Sequence, residues 1–275
     1  PGPRIASVDP ASGVRGQNLD VDIAGSGTSF DGTSAATFSG TGITVNHTTL
    51  IDGTHVTANI TIDSGAATGA RDVNVITVGE IPDPLTGGFT VQYPPPDVTG
   101  ISPAGGNRGQ TLTGVQIAGT HFRGPNSNVI AQLKNGTSTI TGTVTGVTAT
   151  RVTCDFTLPV DAAVGQWDVY VRHVDDGKDD TLTEGFAVLY PAPVVTSITP
   201  SSGEQGATVA VTNLAGANFR GKPAVKLKRT GSADITATGV TVVSSTRITC
   251  SLAIPSDAAI GAWNLYVRNP DGQSA

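Results

Sequence analysis

Residues Arg151–Arg172 read RVTCDFTLPVDAAVGQWDVYVR, and residues Arg247–Arg268 read RITCSLAIPSDAAIGAWNLYVR, which is identical at 12 of 22 positions. In the first copy Val152, Cys154 and Phe156 alternate with polar residues. A period of two indicates strands with one packed and one solvated face. Short strands divided by Gly, Pro, Asp and Ser predict an all-β, antiparallel sandwich.

The repeated stretch belongs to a longer unit that occurs three times. Each unit opens alike, with IASVDPASGVRGQ, VTGISPAGGNRGQ and VTSITPSSGEQGA at residues 5–17, 98–110 and 195–207. A small-residue turn then places an aromatic residue in register, namely Phe30, Phe122 and Phe219. A period near 95 residues is too long for a solenoid and suits tandem domains with separate cores. The predicted domains are residues 1–94, 95–191 and 192–275.

The shared pattern is I-x-P-x-x-G-x-x-G, a small turn with Phe, and P-x-x-A-x-x-G-x-W/Y-x-V-x-V. It resembles the IPT/TIG family of immunoglobulin-like domains, and the resemblance covers all three units. It implies three tandem immunoglobulin-like sandwiches. It implies little about activity, because such domains serve receptors, transcription factors, carbohydrate-active enzymes and microbial surface arrays. The first unit departs from the pattern with Arg71 in place of Trp, and we expect its core to be repacked there.

The units are connected by proline-rich segments, YPPPDV at Tyr93–Val98 and YPAPVV at Tyr190–Val195. Proline fixes φ and biases the preceding residue toward extended backbone. Connectors this short leave little slack. The expected arrangement is a semi-rigid rod.

The third unit differs from the others in its last strand. The first two units continue into LTGGFTVQY and TLTEGFAVLY, where alternation directs Phe89, Val91, Phe186 and Val188 to the core. The third has the turn NPDG followed only by QSA. We expect an open sheet edge and a Phe-sized gap in this core. Two explanations stay open: the strand lies beyond an excerpted sequence, or a partner chain supplies it.

Composition favours an exported protein and argues against nucleic-acid binding. The net charge is −6, the pI is near 5.0 and mean hydropathy is +0.02, with Met absent. Residues 1–96 carry 3 basic and 9 acidic residues, residues 97–193 carry 6 and 9, and residues 194–275 carry 7 and 4. An acidic surface does not suit a nucleic-acid binder. Two readings of this difference stay open: ordinary variation among solvated surfaces, or attraction between the unlike ends of neighbouring copies. No apolar run reaches about 18 residues, so no membrane span is expected within the segment.

No residue pattern predicts catalysis, a metal or a cofactor. Cys154 and Cys250 occupy the same inward-facing position of different units, and we expect two buried free thiols. The four histidines are scattered, and no nucleophile motif occurs. The acidic stretch DDGKDD is a weak calcium candidate that more simply reads as a hairpin turn; its carboxylates are Asp175, Asp176, Asp179 and Asp180.

Three N-x-[ST] sequons are glycosylation candidates, at Asn46, Asn59 and Asn135. Together these features predict a non-catalytic, extracellular cell-surface glycoprotein that forms part of a microbial-type fibre, stalk or coat. Its expected partners are other copies of itself or adjoining domains of a longer chain, with glycans as a further option. The alternatives are accessory modules of a secreted polysaccharide-degrading enzyme, or an adhesin stalk. A clustered aromatic face would favour the enzyme, but aromatic residues make up only 5% of the chain.

Overall fold

A computed structural model describes residues 2–275. The chain forms three successive β-sandwiches, each with its own hydrophobic cluster. The prediction of an all-β fold built from several sandwiches is confirmed. Within the described residues there is no helix long and apolar enough to cross a bilayer.

The first sandwich packs the sheet β1-β3-β6-β5 against the sheet β2-β8-β7-β4. Its strands are β1 Arg4–Asp9, β2 Ser12–Val14, β3 Asn18–Ser26, β4 Ala35–Phe38, β5 Ile43–Asp52, β6 His55–Ile62, β7 Gly69–Ile76 and β8 Leu85–Gln92. Alternation controls which side chains enter the core: every second residue of β6 is buried.

The second sandwich packs β9-β11-β15-β14 against β10-β17-β16-β12-β13. Its strands are β9 Asp97–Ser102, β10 Gly105–Asn107, β11 Thr111–Thr120, β12 Val129–Asn135, β13 Ser138–Thr141, β14 Thr143–Thr148, β15 Arg151–Thr157, β16 Gly165–His173 and β17 Asp179–Leu189. A short 3₁₀ turn, Asn126–Asn128, precedes β12.

The third sandwich packs β18-β19-β23-β22 against a sheet of only three strands, β21-β20-β24. Its strands are β18 Val194–Thr199, β19 Thr208–Ala217, β20 Ala224–Lys228, β21 Ile235–Thr236, β22 Thr238–Ser244, β23 Arg247–Ala253 and β24 Asn264–Arg268. Within the described residues, no strand takes the place in this sheet that β8 and β17 have in the other two sandwiches.

The last strands of the first two sandwiches fill their cores. Phe89, Phe186 and Val188 are fully buried and Val91 is nearly so. Each last strand runs antiparallel to its neighbour, β7 or β16, and parallel to a short strand at the start of the repeat, β2 or β10. The last strand therefore joins both ends of each repeat into one sheet.

Arg71 takes over a hydrogen bond that tryptophan makes in the other two sandwiches. Trp167 Nε1 donates to the Ala163 carbonyl at 2.8 Å, and Trp263 Nε1 donates to the carbonyl of Ala259 at 3.0 Å. Arg71 is buried, and its guanidinium donates to the corresponding carbonyl, that of Ala67. The core is repacked around a cation that satisfies the same acceptor.

Candidate functional site

A tyrosine joint connects the first and second sandwiches. The ring of Tyr93 lies between two guanidinium groups, with Arg15 of the first sandwich and Arg123 of the second each 4.4 Å from its centroid. A cation over an aromatic face is attracted by the ring quadrupole, and more strongly when it is shielded from water. The ring thus ties together residues from both neighbouring sandwiches.

A second tyrosine joint repeats this arrangement. Tyr190 lies 4.7 Å from the Arg108 guanidinium of the second sandwich and 4.3 Å from that of Arg220 in the third. The arginine that precedes each joint in the sequence, Arg15 or Arg108, belongs to the R-G-Q of the repeat opening. The arginine that follows the joint, Arg123 or Arg220, comes directly after the phenylalanine that all three repeats share. Two joints of the same design indicate that the sequence specifies how neighbouring sandwiches meet.

Acidic turns hold the arginine on the far side of each joint. Arg123 pairs with Asp175 and Asp176, with N–O distances of 2.5 Å, and Arg220 pairs with Asp271. Burial acts to raise the pKa of Asp176, but hydrogen bonds from Arg123 and from the Lys178 backbone, with the charge of Arg123, hold that pKa below its usual value. Asp176 is therefore an ionised partner of Arg123.

Hydrogen bonds to the connector backbone fix each joint further. At the first joint Lys178 Nζ donates to the Tyr93 carbonyl at 2.5 Å and to Gln92 Oε1 at 3.1 Å. At the second, Arg220 Nη1 donates to the Pro191 carbonyl at 3.0 Å, and Asn218 Nδ2 donates to the Ala192 carbonyl at 2.8 Å. Because proline contributes no N–H, the connector offers carbonyls, and side chains from the following sandwich bind them.

The acidic stretch proposed as a weak calcium candidate serves these contacts. Asp175 and Asp176 pair with Arg123, and Asp180 accepts a hydrogen bond from the Val98 N–H at 2.7 Å. Asp179 lies opposite Arg172 in the ladder of β17 with β16. Among residues 2–275 no group of three or more His, Cys, Asp or Glu side chains is arranged to hold a metal ion.

His173 lies buried beneath the first joint. Neither ring nitrogen has a hydrogen-bond partner within the described part of the chain. At the corresponding position Asn269 is satisfied: it accepts from the Arg220 N–H at 3.3 Å and donates to the Asn218 carbonyl at 2.8 Å. Burial lowers the pKa of His173, and Arg123 and Lys178 lower it further against the opposing Asp175 and Asp176.

This burial predicts that acid destabilises the second sandwich through His173. The pKa of His173 is lower in the folded state than its ordinary value of about 6.5. Below that pH the unfolded chain binds a proton at His173 more readily than the folded chain does, so the free energy of unfolding falls as the pH falls. We expect His173→Asn to lose less stability than the unaltered chain between about pH 7 and pH 5. Urea unfolding across that range measures the difference. His121→Asn, at an exposed histidine, is the control, and equal acid sensitivity of all three proteins would contradict the prediction.

An open groove marks the third sandwich at the place that β17 occupies in the second. It has a volume of about 620 Å³ and lies between the edge of β24 and the segment Ser202–Glu204. Trp263, Leu265 and Ile254 line it and are only partly buried, whereas the corresponding Trp167, Val169 and Leu158 are at most 2% exposed. Trp263 packs against the core of the third sandwich and also forms part of the groove wall.

Two residues after the NPDG turn, Ser274 and Ala275, pair with the edge of β24. Ala275 exchanges two backbone hydrogen bonds with Val267, at 2.9 and 3.2 Å, and Ser274 lies opposite Arg268. In the second sandwich the corresponding pairs are Asp180 with Val171 and Asp179 with Arg172. The edge from Gly261 to Tyr266 remains open.

The remaining candidate residues lie apart from the joints and the groove walls. Cys154 and Cys250 are free, buried and in different sandwiches. Burial raises the pKa of Cys154 to about 12, with a contribution from Asp155, and burial also raises the pKa of Cys250. A thiol is a poor nucleophile while protonated, so neither cysteine is suited to catalysis.

The sequons lie on outward-facing positions. Asn46 is exposed on β5 and donates to Asn59 Oδ1 of β6 at 2.8 Å, and Asn59 donates to Asp20 at 2.6 Å. Asn135, at the end of β12, donates to the Gln166 carbonyl at 2.9 Å. Glycosylation at these three positions stays a prediction.

No family model and no curated protein matches the chain. Solved structures with some similarity include the plexin A4 extracellular region (15% identity, TM-score 0.31, 94% of this chain and 21% of that one) and an ICAM-5 D1–D4 ectodomain fragment (12%, 0.44, 100% and 75%). Titin fragment I67–I69 is another (14%, 0.41, 99% and 95%). At these scores the likeness carries no functional argument, and the fold rests on the sheets described above.

Proposed function

We propose that this chain is a non-catalytic structural segment of an extracellular surface protein of the IPT/TIG type. In this proposal it spaces or builds a fibre, stalk or coat. The observation that carries the proposal is the repeated tyrosine joint, in which Arg–Tyr–Arg contacts and an ion pair bind each sandwich to the next. A segment that fixes successive domains suits mechanical spacing better than flexible tethering.

Charge and exposed apolar residues support association through the two ends. The first sandwich carries Asp31 where the others carry Arg123 and Arg220, and its segment has a net charge of −6 against +3 for residues 194–275. Val78 and Ile81 beside that acidic loop, and Ile260 beside the groove, are 74–82% exposed. Opposite charge favours the encounter of unlike ends, and apolar burial would stabilise it.

Electron microscopy of the native surface material tests the proposal. We expect extended assemblies whose axial repeat matches one chain, because the joints restrict how sandwiches can be oriented. The double variant Tyr93→Ala and Tyr190→Ala provides the control. We expect the distance between the first and third sandwiches to vary more from particle to particle in this variant, because both joints have lost their ring contacts. Native particles with freely varying sandwich positions and no assembly would refute the structural role.

A further inference from the structure

His173 supports the turn that fastens the first joint. Its backbone N–H donates to the Lys178 carbonyl at 2.9 Å, and its carbonyl accepts from the Gly177 N–H at 3.1 Å, so the turn between β16 and β17 closes on this residue. The turn carries both aspartates that pair with Arg123, and Lys178 Nζ donates to the Tyr93 carbonyl. A movement of His173 would therefore release several contacts of the joint together.

The side chain of His173 is not satisfied in this position. It is 0% exposed, and neither ring nitrogen has a hydrogen-bond partner among residues 2–275. The other two sandwiches place bonded, neutral side chains here: the Thr77 hydroxyl lies 2.8 Å from that of Ser34, and Asn269 makes the two hydrogen bonds described above. A buried polar group without a partner costs free energy, so packing alone does not explain a histidine at the first joint.

Four charged side chains act on the His173 ring. Burial has the largest effect and lowers its pKa, Arg123 and Lys178 lower it further, and Asp176 and Asp175 raise it. The ring is therefore neutral near pH 7 while the joint is closed. A proton on the ring would add a third cation beside carboxylates that already pair with Arg123, and its charge would act directly on the Asp176 carboxylate.

An open cleft beside the joint gives the turn room to move. It has a volume of about 420 Å³, and its lining includes Tyr93, Arg123, Asn128 and Asp175. The Asp175 side chain is 49% exposed, so water already reaches the outer side of the turn. Displacement of the turn into the cleft would hydrate the His173 ring, and a hydrated histidine has its ordinary pKa of about 6.5.

We propose that the first joint is a proton-operated hinge: in mild acid His173 takes up a proton, the turn Val174–Lys178 releases Arg123, and the first two sandwiches become free to move relative to each other. The second joint, with Asn269 in place of the histidine, stays closed. Because the open joint binds the proton more readily than the closed one, the ratio of open to closed joints should rise by up to about ten-fold for each pH unit below about 6.5. This hinge goes beyond the proposed structural role and does not depend on it.

Distances between labels on neighbouring sandwiches test the hinge in the full chain. Fluorophores on Ser64→Cys and Ser138→Cys report on the first joint, and a pair on Ser138→Cys and Thr230→Cys reports on the second; all three positions are exposed. Cys154 and Cys250 are buried and protonated, so they react slowly with the labels. Between pH 7 and pH 5 we expect energy transfer to show a broader range of distances at the first joint and no change at the second. Near-ultraviolet circular dichroism should stay constant, because the sandwiches themselves remain folded.

Variants of the two histidines at the first joint identify the group that responds. His173→Asn and His173→Thr carry the neutral residues of the other sandwiches, and both should remove the acid response. His121→Asn should keep it: His121 is exposed and lies 3.2 Å from the Pro95 carbonyl of the same joint. The proposal is overturned by an unchanged first distance, by equal broadening at both joints, or by a response that survives in the His173 variants. Broadening that occurs only together with loss of the near-ultraviolet signal would also overturn it, since acid would then unfold the second sandwich instead of opening the joint.

Discussion

Phe186→Ala should destabilise the second sandwich by about 3–5 kcal/mol, the range typical of a buried Phe truncated in a core. Phe186 is fully buried in β17, which is the strand that joins β16 to β10. Its ring contributes apolar burial, and its removal leaves a cavity against Trp167 that the surrounding strands cannot close. Chemical denaturation followed by near-ultraviolet circular dichroism would measure the loss.

The matched control is Leu189→Ala on the same strand. Leu189 is 41% exposed, so its truncation should change stability by less than about 1 kcal/mol. Phe89→Ala in β8 should resemble Phe186→Ala, because Phe89 is also fully buried and packs edge-on against Phe38 at 5.4 Å. Similar small losses for all three variants would mean that the last strand contributes little, and that the groove in the third sandwich has no large energetic consequence.

The last strand was predictable because its signal is local. Alternation in GFTV and GFAV places Phe and Val on one face without any knowledge of the partner strands. Because no such pattern follows NPDG in the third repeat, an open sheet edge could be expected there. Trp263 is only partly buried because no residue of the described chain takes the place that Phe186 has opposite Trp167.

The contacts of the tyrosine joints, by contrast, could not be predicted from the sequence. The prolines beside Tyr93 and Tyr190 indicated short connectors, but the arginines that contact each ring lie more than 25 residues away, on two different sandwiches. Only tertiary structure brings them to one ring. A retrospective signal exists, since R-G-Q, Y-P-x-P and F-R-G recur together at both joints, and the third repeat loses the first of them at Gln205.

Arg123→Ala should weaken the first joint by about 2–3 kcal/mol, because it removes a cation–π contact and the partner of two carboxylates together. Arg123 is only 16% exposed and bridges Tyr93 to Asp175 and Asp176. Its loss leaves two adjacent negative charges without their cation, and their mutual repulsion adds to the effect. Differential scanning calorimetry should show the transition of the second sandwich at lower temperature.

Arg15→Ala is the control that separates the two contributions. Arg15 lies at the same 4.4 Å from the Tyr93 ring, and within the described residues it forms no ion pair. We therefore expect a loss of only about 0.5–1 kcal/mol, the value of a partly exposed cation–π contact. If both variants cost the same, the ring contact alone would hold the joint, and the acidic turn would be a solvated loop. A larger loss for Arg123 would instead assign to DDGKDD the task of holding the arginine against the tyrosine.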